Sequence, residues 1–94
     1  MKYSITIQGK GGHSSRPDRA INPVDCFVSI YAALQRFSPT ITQVDGGTAV
    51  NVIPDKLIFV MECDSTAEEL TQVIEPLCNL YRCGLSITDF EKQR

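Results

Sequence analysis

Lys56-Leu57-Ile58-Phe59-Val60-Met61-Glu62-Cys63 is the most apolar run in the chain. Leu57, Phe59, Met61 and Cys63 fall on one side of an extended segment, and Ile58 and Val60 on the other. A period of two with both sides apolar predicts a central strand. Downstream, Ser65-Thr66-Ala67-Glu68 reads as a capping box, which predicts that a helix starts there. Its stripe is Leu70, Val73, Ile74, Leu77 and Tyr81. Pro76 is expected to bend it, and Gly84 sits where a C-cap glycine belongs. Leu85 and Ile87 then make a short last strand, after which the sequence turns polar.

Upstream, Pro54-Asp55 predicts a turn that closes an extended segment from Thr48, and Gly46-Gly47 breaks the chain before it. Thr40 to Asp45 is rich in threonine and suits the edge of a sheet. Asn22-Pro23 opens a helix, with Asn as N-cap and Pro at the first helical position, and Ser38-Pro39 ends it. Val24, Phe27, Val28, Tyr31 and Leu34 form its expected core stripe. A second apolar row, Cys26, Ile30, Ala33 and Phe37, lies roughly 120° around the helix. It reads either as a broad core face, as contact with a neighbouring domain, or as a subunit interface. Lys2 to Gln8 alternates, with Tyr3, Ile5 and Ile7 on the covered side. The order strand, helix, strand, strand, helix, strand predicts an α+β, ferredoxin-like two-layer sandwich, β-α-β-β-α-β. Its sheet is four-stranded and antiparallel, with both helices on one face.

Ninety-four residues make a single domain, 1–94. A net charge of -2 argues against a nucleic-acid surface. No apolar run approaches the ~20 residues that span a bilayer, so no membrane partner is expected. Cys26, Cys63, Cys78 and Cys83 form no Cys-x-x-Cys pair, which disfavours a zinc knuckle and fits buried, reduced thiols in a cytoplasmic protein. Met1 stands directly on the first strand, as expected of a domain excised from a longer protein.

The chemistry concentrates in Gly9-Lys-Gly-Gly-His-Ser-Ser-Arg-Pro-Asp-Arg-Ala-Ile-Asn22. This stretch carries His13, the sole histidine, and three of the six glycines. Gly9, Gly11 and Gly12 permit positive φ or close approach of another chain. His13 is open to several readings: metal ligand, acid or base, hydrogen-bond donor, or plain loop residue. One histidine without an acidic cluster makes a metal set on this chain improbable. Ser14 and Ser15 beside it lack a nucleophile-elbow sequence. No Gly-Lys-Ser/Thr marks a phosphate loop. The strand at Lys56 offers one aromatic where an RNA-recognition domain stacks several. Asn51, between Val50 and Val52, either satisfies backbone near the Pro54 turn or aims its amide at a ligand. Arg16 is read as a surface side chain, although a guanidinium there would suit a carboxylate.

Taken together, Gly-Lys-Gly-Gly-His-Ser-Ser-Arg-Pro, Ile-Asn-Pro and Gly-Gly-Thr-Ala-Val-Asn-Val-Ile-Pro-Asp closely resemble the dimerisation (lid) domain of dinuclear metal-dependent amidohydrolases and exopeptidases. That family includes aminoacylases, carboxypeptidase G, succinyl-diaminopimelate desuccinylases and hippurate or indoleacetyl-amino-acid hydrolases. The resemblance covers nearly the whole chain. It implies a homodimer, attached to a catalytic domain of the same parent chain that holds two divalent ions, zinc in most members. It implies no cofactor on this chain and no activity of this piece alone. By resemblance, His13 is the catalytic histidine that reaches the partner subunit's active site and hydrogen-bonds the scissile carbonyl. Asn51 contacts a substrate that is an N-acyl amino acid or short peptide. The interface takes in Cys26, Ile30, Ala33 and Phe37 with Thr40 and Thr42. The alternative from another class is a free-standing small-molecule-binding or regulatory module of the same fold.

Overall fold

The computed structural model describes residues 1–47 and 49–93. Six strands and two α-helices follow one another as β1 (Lys2–Gln8), β2 (Gly12–His13), α1 (Pro23–Leu34), β3 (Thr40–Asp45), β4 (Val52–Ile53), β5 (Lys56–Glu62), α2 (Ala67–Leu80) and β6 (Gly84–Asp89). The main sheet has the order β3-β5-β1-β6, and each neighbouring pair is antiparallel. β1 therefore lies between the parallel strands β5 and β6, and β5 between β1 and β3. These are two interleaved βαβ units, the split βαβ of the ferredoxin-like sandwich. Among the described residues no helix is long and apolar enough to cross a membrane.

The alternation in β1 and β5 sets the core. Tyr3, Ile5, Ile7, Leu57, Phe59 and Met61 are buried beneath the helices. Ser4, Thr6, Ile58 and Val60, on the helix-free face, stay half-buried. Tyr3 lies wholly inside, and its hydroxyl donates to the Ser65 carbonyl at 2.7 Å, so the buried phenol is satisfied. Burial pushes its pKa up.

The first helix begins where its cap predicts: the Asn22 side chain accepts the Val24 N–H at 3.0 Å. Leu34, Val24 and Phe27 of the expected stripe do pack on the core, but the rest of the buried face differs from expectation. Val28 is 62% exposed and Tyr31 48%, whereas Cys26, Ile30 and Leu34 are at 0%. Cys26 and Ile30 are therefore core residues, fully covered by this chain itself. The cause is α2. The buried face of α1 points between the sheet and the second helix, where the Cys26 and Cys78 sulfurs lie 3.9 Å apart and the Ser29 and Tyr81 hydroxyls 2.6 Å. A helix apolar on most sides presents two candidate stripes, and only its neighbour decides which is covered. Ala33 and Phe37 are half-buried, and Thr40 and Thr42 are exposed.

The second helix is capped one residue later than the pattern suggests. Thr66, not Ser65, is the N-cap, and its side chain and that of Glu69 satisfy each other's backbone N–H groups. Pro76 stands within its last turns. It ends in a Schellman arrangement: Cys83 N–H meets the Cys78 carbonyl at 2.8 Å, and Arg82 N–H the Asn79 carbonyl at 3.2 Å. The left-handed residue is Arg82, at φ 63°, not Gly84. Gly84 instead opens β6 opposite Gln8.

All four cysteines are buried and free. Burial pushes the Cys26, Cys78 and Cys83 thiols up, which keeps them neutral and unreactive.

Candidate functional site

The glycine loop and the segment around Asn51 are far apart in sequence and meet in space. β2 and β4 pair as a two-stranded antiparallel ribbon, Gly12 opposite Ile53 and His13 opposite Val52. One step further, Ser14 N–H donates to the Asn51 carbonyl at 3.0 Å. The ribbon thus brings His13 and Asn51 onto adjoining backbone, both exposed.

Close approach, rather than positive φ, explains Gly9 and Gly11, whereas a Cβ on Gly12 would only touch Ala20 at an ordinary 3.5 Å. None of Gly9, Gly11 and Gly12 has a positive φ. A side chain on Gly9 would overlap the Ile21 carbonyl oxygen, which Lys10 N–H reaches at 2.8 Å. A methyl on Gly11 would lie 2.7 Å from both the Ile53 carbonyl oxygen and an Asp55 carboxylate oxygen. Such contacts leave no room for a Cβ.

Asp55 is the clamp that sequence reading treated only as a turn residue. Its carboxylate accepts Gly11 N–H at 2.8 Å. Its carbonyl accepts Gly9 N–H at 2.7 Å and the Gln8 side-chain amide at 3.0 Å. The signal available was the Pro-Asp turn itself, since Asp favours positions where it can bind nearby backbone N–H groups. The chain then reverses: Arg16 N–H closes a turn on the His13 carbonyl at 3.0 Å, and Pro17–Arg19 forms a short 3-10 helix leading toward α1.

The His13 ring does not fold into the core. Its Nδ1 lies 2.7 Å from Ser15 Oγ and 3.1 Å from Ser15 N. Among the described residues no group of three or more His, Cys, Asp or Glu side chains is arranged to hold a metal ion. Arg16 is exposed, and no ion pair to it occurs among the described residues. A cleft of about 390 Å³ lies at the base of the ribbon, lined by residues that include Asp45, Asp55 and Lys56 but neither His13 nor Asn51. Both residues are exposed, and neither lines that cleft.

Residues 1–79 match the peptidase dimerisation domain. The chain belongs to that family. Among its relatives, a succinyl-diaminopimelate desuccinylase from Ehrlichia canis is 34% identical over 95 residues, covering 83% of this chain and 25% of the relative. An IAA-amino acid hydrolase from Arabidopsis thaliana is 28% identical over 102 residues, covering 90% and 23%. A solved Bacillus subtilis structure described as a dinuclear metal binding peptidase is 26% identical, with a TM-score of 0.67, covering 93% and 24%. The dimerisation domain described here thus spans about a quarter of the length of these relatives. A putative aminohydrolase from Staphylococcus aureus has the same fold, with a TM-score of 0.76 at 23% identity over 93% of this chain and 27% of that one.

Proposed function

We propose that this domain serves as the dimerisation lid of a metal-dependent amide hydrolase acting on N-acyl amino acids or short peptides, and that His13 completes the active site of the partner subunit. The observation that carries the reading is the ribbon. It holds the His13 imidazole outside the core on a loop clamped by Asp55, with the backbone of the exposed Asn51 bonded to the next residue, Ser14. Such a presentation suits a ligand that another polypeptide holds.

The donor set on this chain does not fit a dinuclear metal centre. Its cysteines are buried and neutral, and its one histidine is already bonded through Nδ1. The metal ligands of the hydrolase therefore belong to the remaining part of the parent protein. What this chain supplies is a hydrogen bond. As the scissile carbonyl becomes an oxyanion, an imidazole N–H facing it contributes on the order of 3 kcal/mol to lowering the barrier. The Asn51 amide, both donor and acceptor, orients the substrate. The names of the relatives share one chemistry, cleavage of an amide-type bond to an amino acid, which supports the substrate class. Buried free thiols fit a reducing, cytoplasmic setting.

For the dimer contact, the candidates are the open edge of β3, with Thr40 and Thr42, and the exposed flank of α1. The Phe27 ring packs at a tilt against Phe59 of β5 and against Tyr31, which places this side of α1 over β5. Val28 and Tyr31 on α1 and Val44 on β3 are all exposed. An edge strand beside an apolar helix flank is self-complementary under a two-fold axis, which pairs β3 with its own copy. Ala33 lies instead on the other side of α1, beside Cys26 and Ser29, which meet α2.

The test is His13→Ala in the intact hydrolase. The expected result is a fall in kcat of about a hundredfold with KM little changed, because the bond forms mainly in the transition state. Unchanged turnover would remove His13 from the mechanism.

A further inference from the structure

We propose that Ser15 is a positioning residue for His13. It holds the ring in the tautomer that carries its proton on Nε2, and so makes the outward nitrogen a donor. The proposal deepens the functional reading above and rests on it for its consequence, not for its geometry.

His13 to Arg16 is a tight turn closed by Arg16 N–H on the His13 carbonyl. Inside it the Ser15 backbone N–H donates to His13 Nδ1 at 3.1 Å, and Ser15 Oγ lies 2.7 Å from the same atom. A backbone N–H is only a donor. Nδ1 must therefore offer its lone pair, and the neutral imidazole then carries its one proton on Nε2. The serine hydroxyl, facing the same lone pair, donates as well. A ring protonated on Nδ1 would set two N–H groups against each other and forfeit the amide bond.

The arrangement repeats, with an imidazole, the turn in which an Asp or Asn side chain accepts a backbone N–H two residues on. The two adjacent serines thus have different tasks. Ser14 N–H ties the ribbon to Asn51, while Ser15 ties the ring to the turn. Among the described residues no hydrogen bond reaches Nε2, which leaves that N–H available to a substrate. The opposite tautomer would present a lone pair to a developing oxyanion and repel it. The Ser15 N–H, reinforced by the hydroxyl on the same ring nitrogen, therefore favours the tautomer in which His13 can act as an oxyanion donor.

The measurement is ring-nitrogen NMR of the 15N-labelled 94-residue chain, in which His13 gives the only imidazole spectrum. Wild type is expected to have a single neutral tautomer, with Nε2 protonated and Nδ1 displaced toward the hydrogen-bonded range. Ser15→Ala should shift the Nδ1 resonance and raise the Nδ1-protonated fraction. Ser15→Thr, which keeps the hydroxyl, and Ser14→Ala should resemble wild type. Backbone amide spectra verify that each variant is folded. A wild-type ring protonated on Nδ1, or a Ser15→Ala ring spectrum identical to wild type, overturns the proposal. This readout is independent of turnover. If His13→Ala leaves the intact hydrolase fully active while the ring behaves as described, the functional reading fails and the positioning stands.

Discussion

The sandwich hides its side chains, whereas the ribbon displays them. Tyr3, Ile5, Phe59 and Ile30 have no solvent contact at all, while His13, Asn51 and Val52 stand exposed beside them in sequence order. The sandwich is held by apolar contact between layers. The ribbon is held by backbone hydrogen bonds, one carboxylate clamp, that of Asp55, and the buried side chain of Ile53. A region stabilised by exposed hydrogen bonds and little burial opens locally at lower cost than the core. That division suits a domain whose core must stay fixed while its loop fits against a second molecule.

The sharpest way to break the comparison is to place the same charge on the two sides of α1. Ile30→Glu puts a carboxylate in the core and should cost about 4 kcal/mol or prevent folding. Val28→Glu, on the exposed flank, should change stability by less than about 0.5 kcal/mol in urea denaturation. In the intact protein, Val28→Glu should also shift the dimer toward monomer by sedimentation. A folded Ile30→Glu domain would mean that the buried face of α1 has been misassigned.

Gly11→Ala tests the ribbon alone. The added methyl meets the Ile53 carbonyl oxygen and the Asp55 carboxylate, so β2 should detach from β4 at a cost of about 2 kcal/mol. Amide shifts should change at His13 and Val52 but not at Phe59. A uniform change across the sheet would mean that the ribbon and the core form one cooperative unit.

A smaller effect of opposite sign is expected at the end of α2. Arg82→Gly relieves a left-handed residue and should stabilise the domain by about 1 kcal/mol. An unchanged midpoint would show that Arg82 contributes interactions that offset its backbone strain.

The strands were legible because period-two alternation in β1 leaves one choice of buried side, β5 is apolar on both sides as a central strand should be, and the edge position of β3 followed from its threonines. The Asn22-Pro23 helix start was equally plain. The orientation of α1 was not, because apolar residues on two faces satisfy the three-four spacing equally well, and only α2 chooses between them. The α2 cap shifted by one residue because Ser65-Thr66 and Glu68-Glu69 offer two overlapping boxes. Arg82 took the left-handed position two residues ahead of Gly84 because the Schellman bonds to Cys78 and Asn79 dictate where the turn falls. At the site, His13 and Asn51 were identifiable as residues, but their pairing through β2 and β4 was not. A two-residue strand carries no periodicity, and hydrogen bonds from Asp55 and Ser15 leave no mark in composition.

The most direct test of the account asks whether the imidazole works across the subunit boundary. One variant of the intact hydrolase carries His13→Ala with its metal site preserved; the other keeps His13 but has its metal site inactivated. Each alone should be nearly inactive. Co-expressed, they should regain turnover in the mixed dimer, where the sound metal centre of one subunit meets His13 of the other. Mixed dimers that form and remain as inactive as either parent would contradict the account.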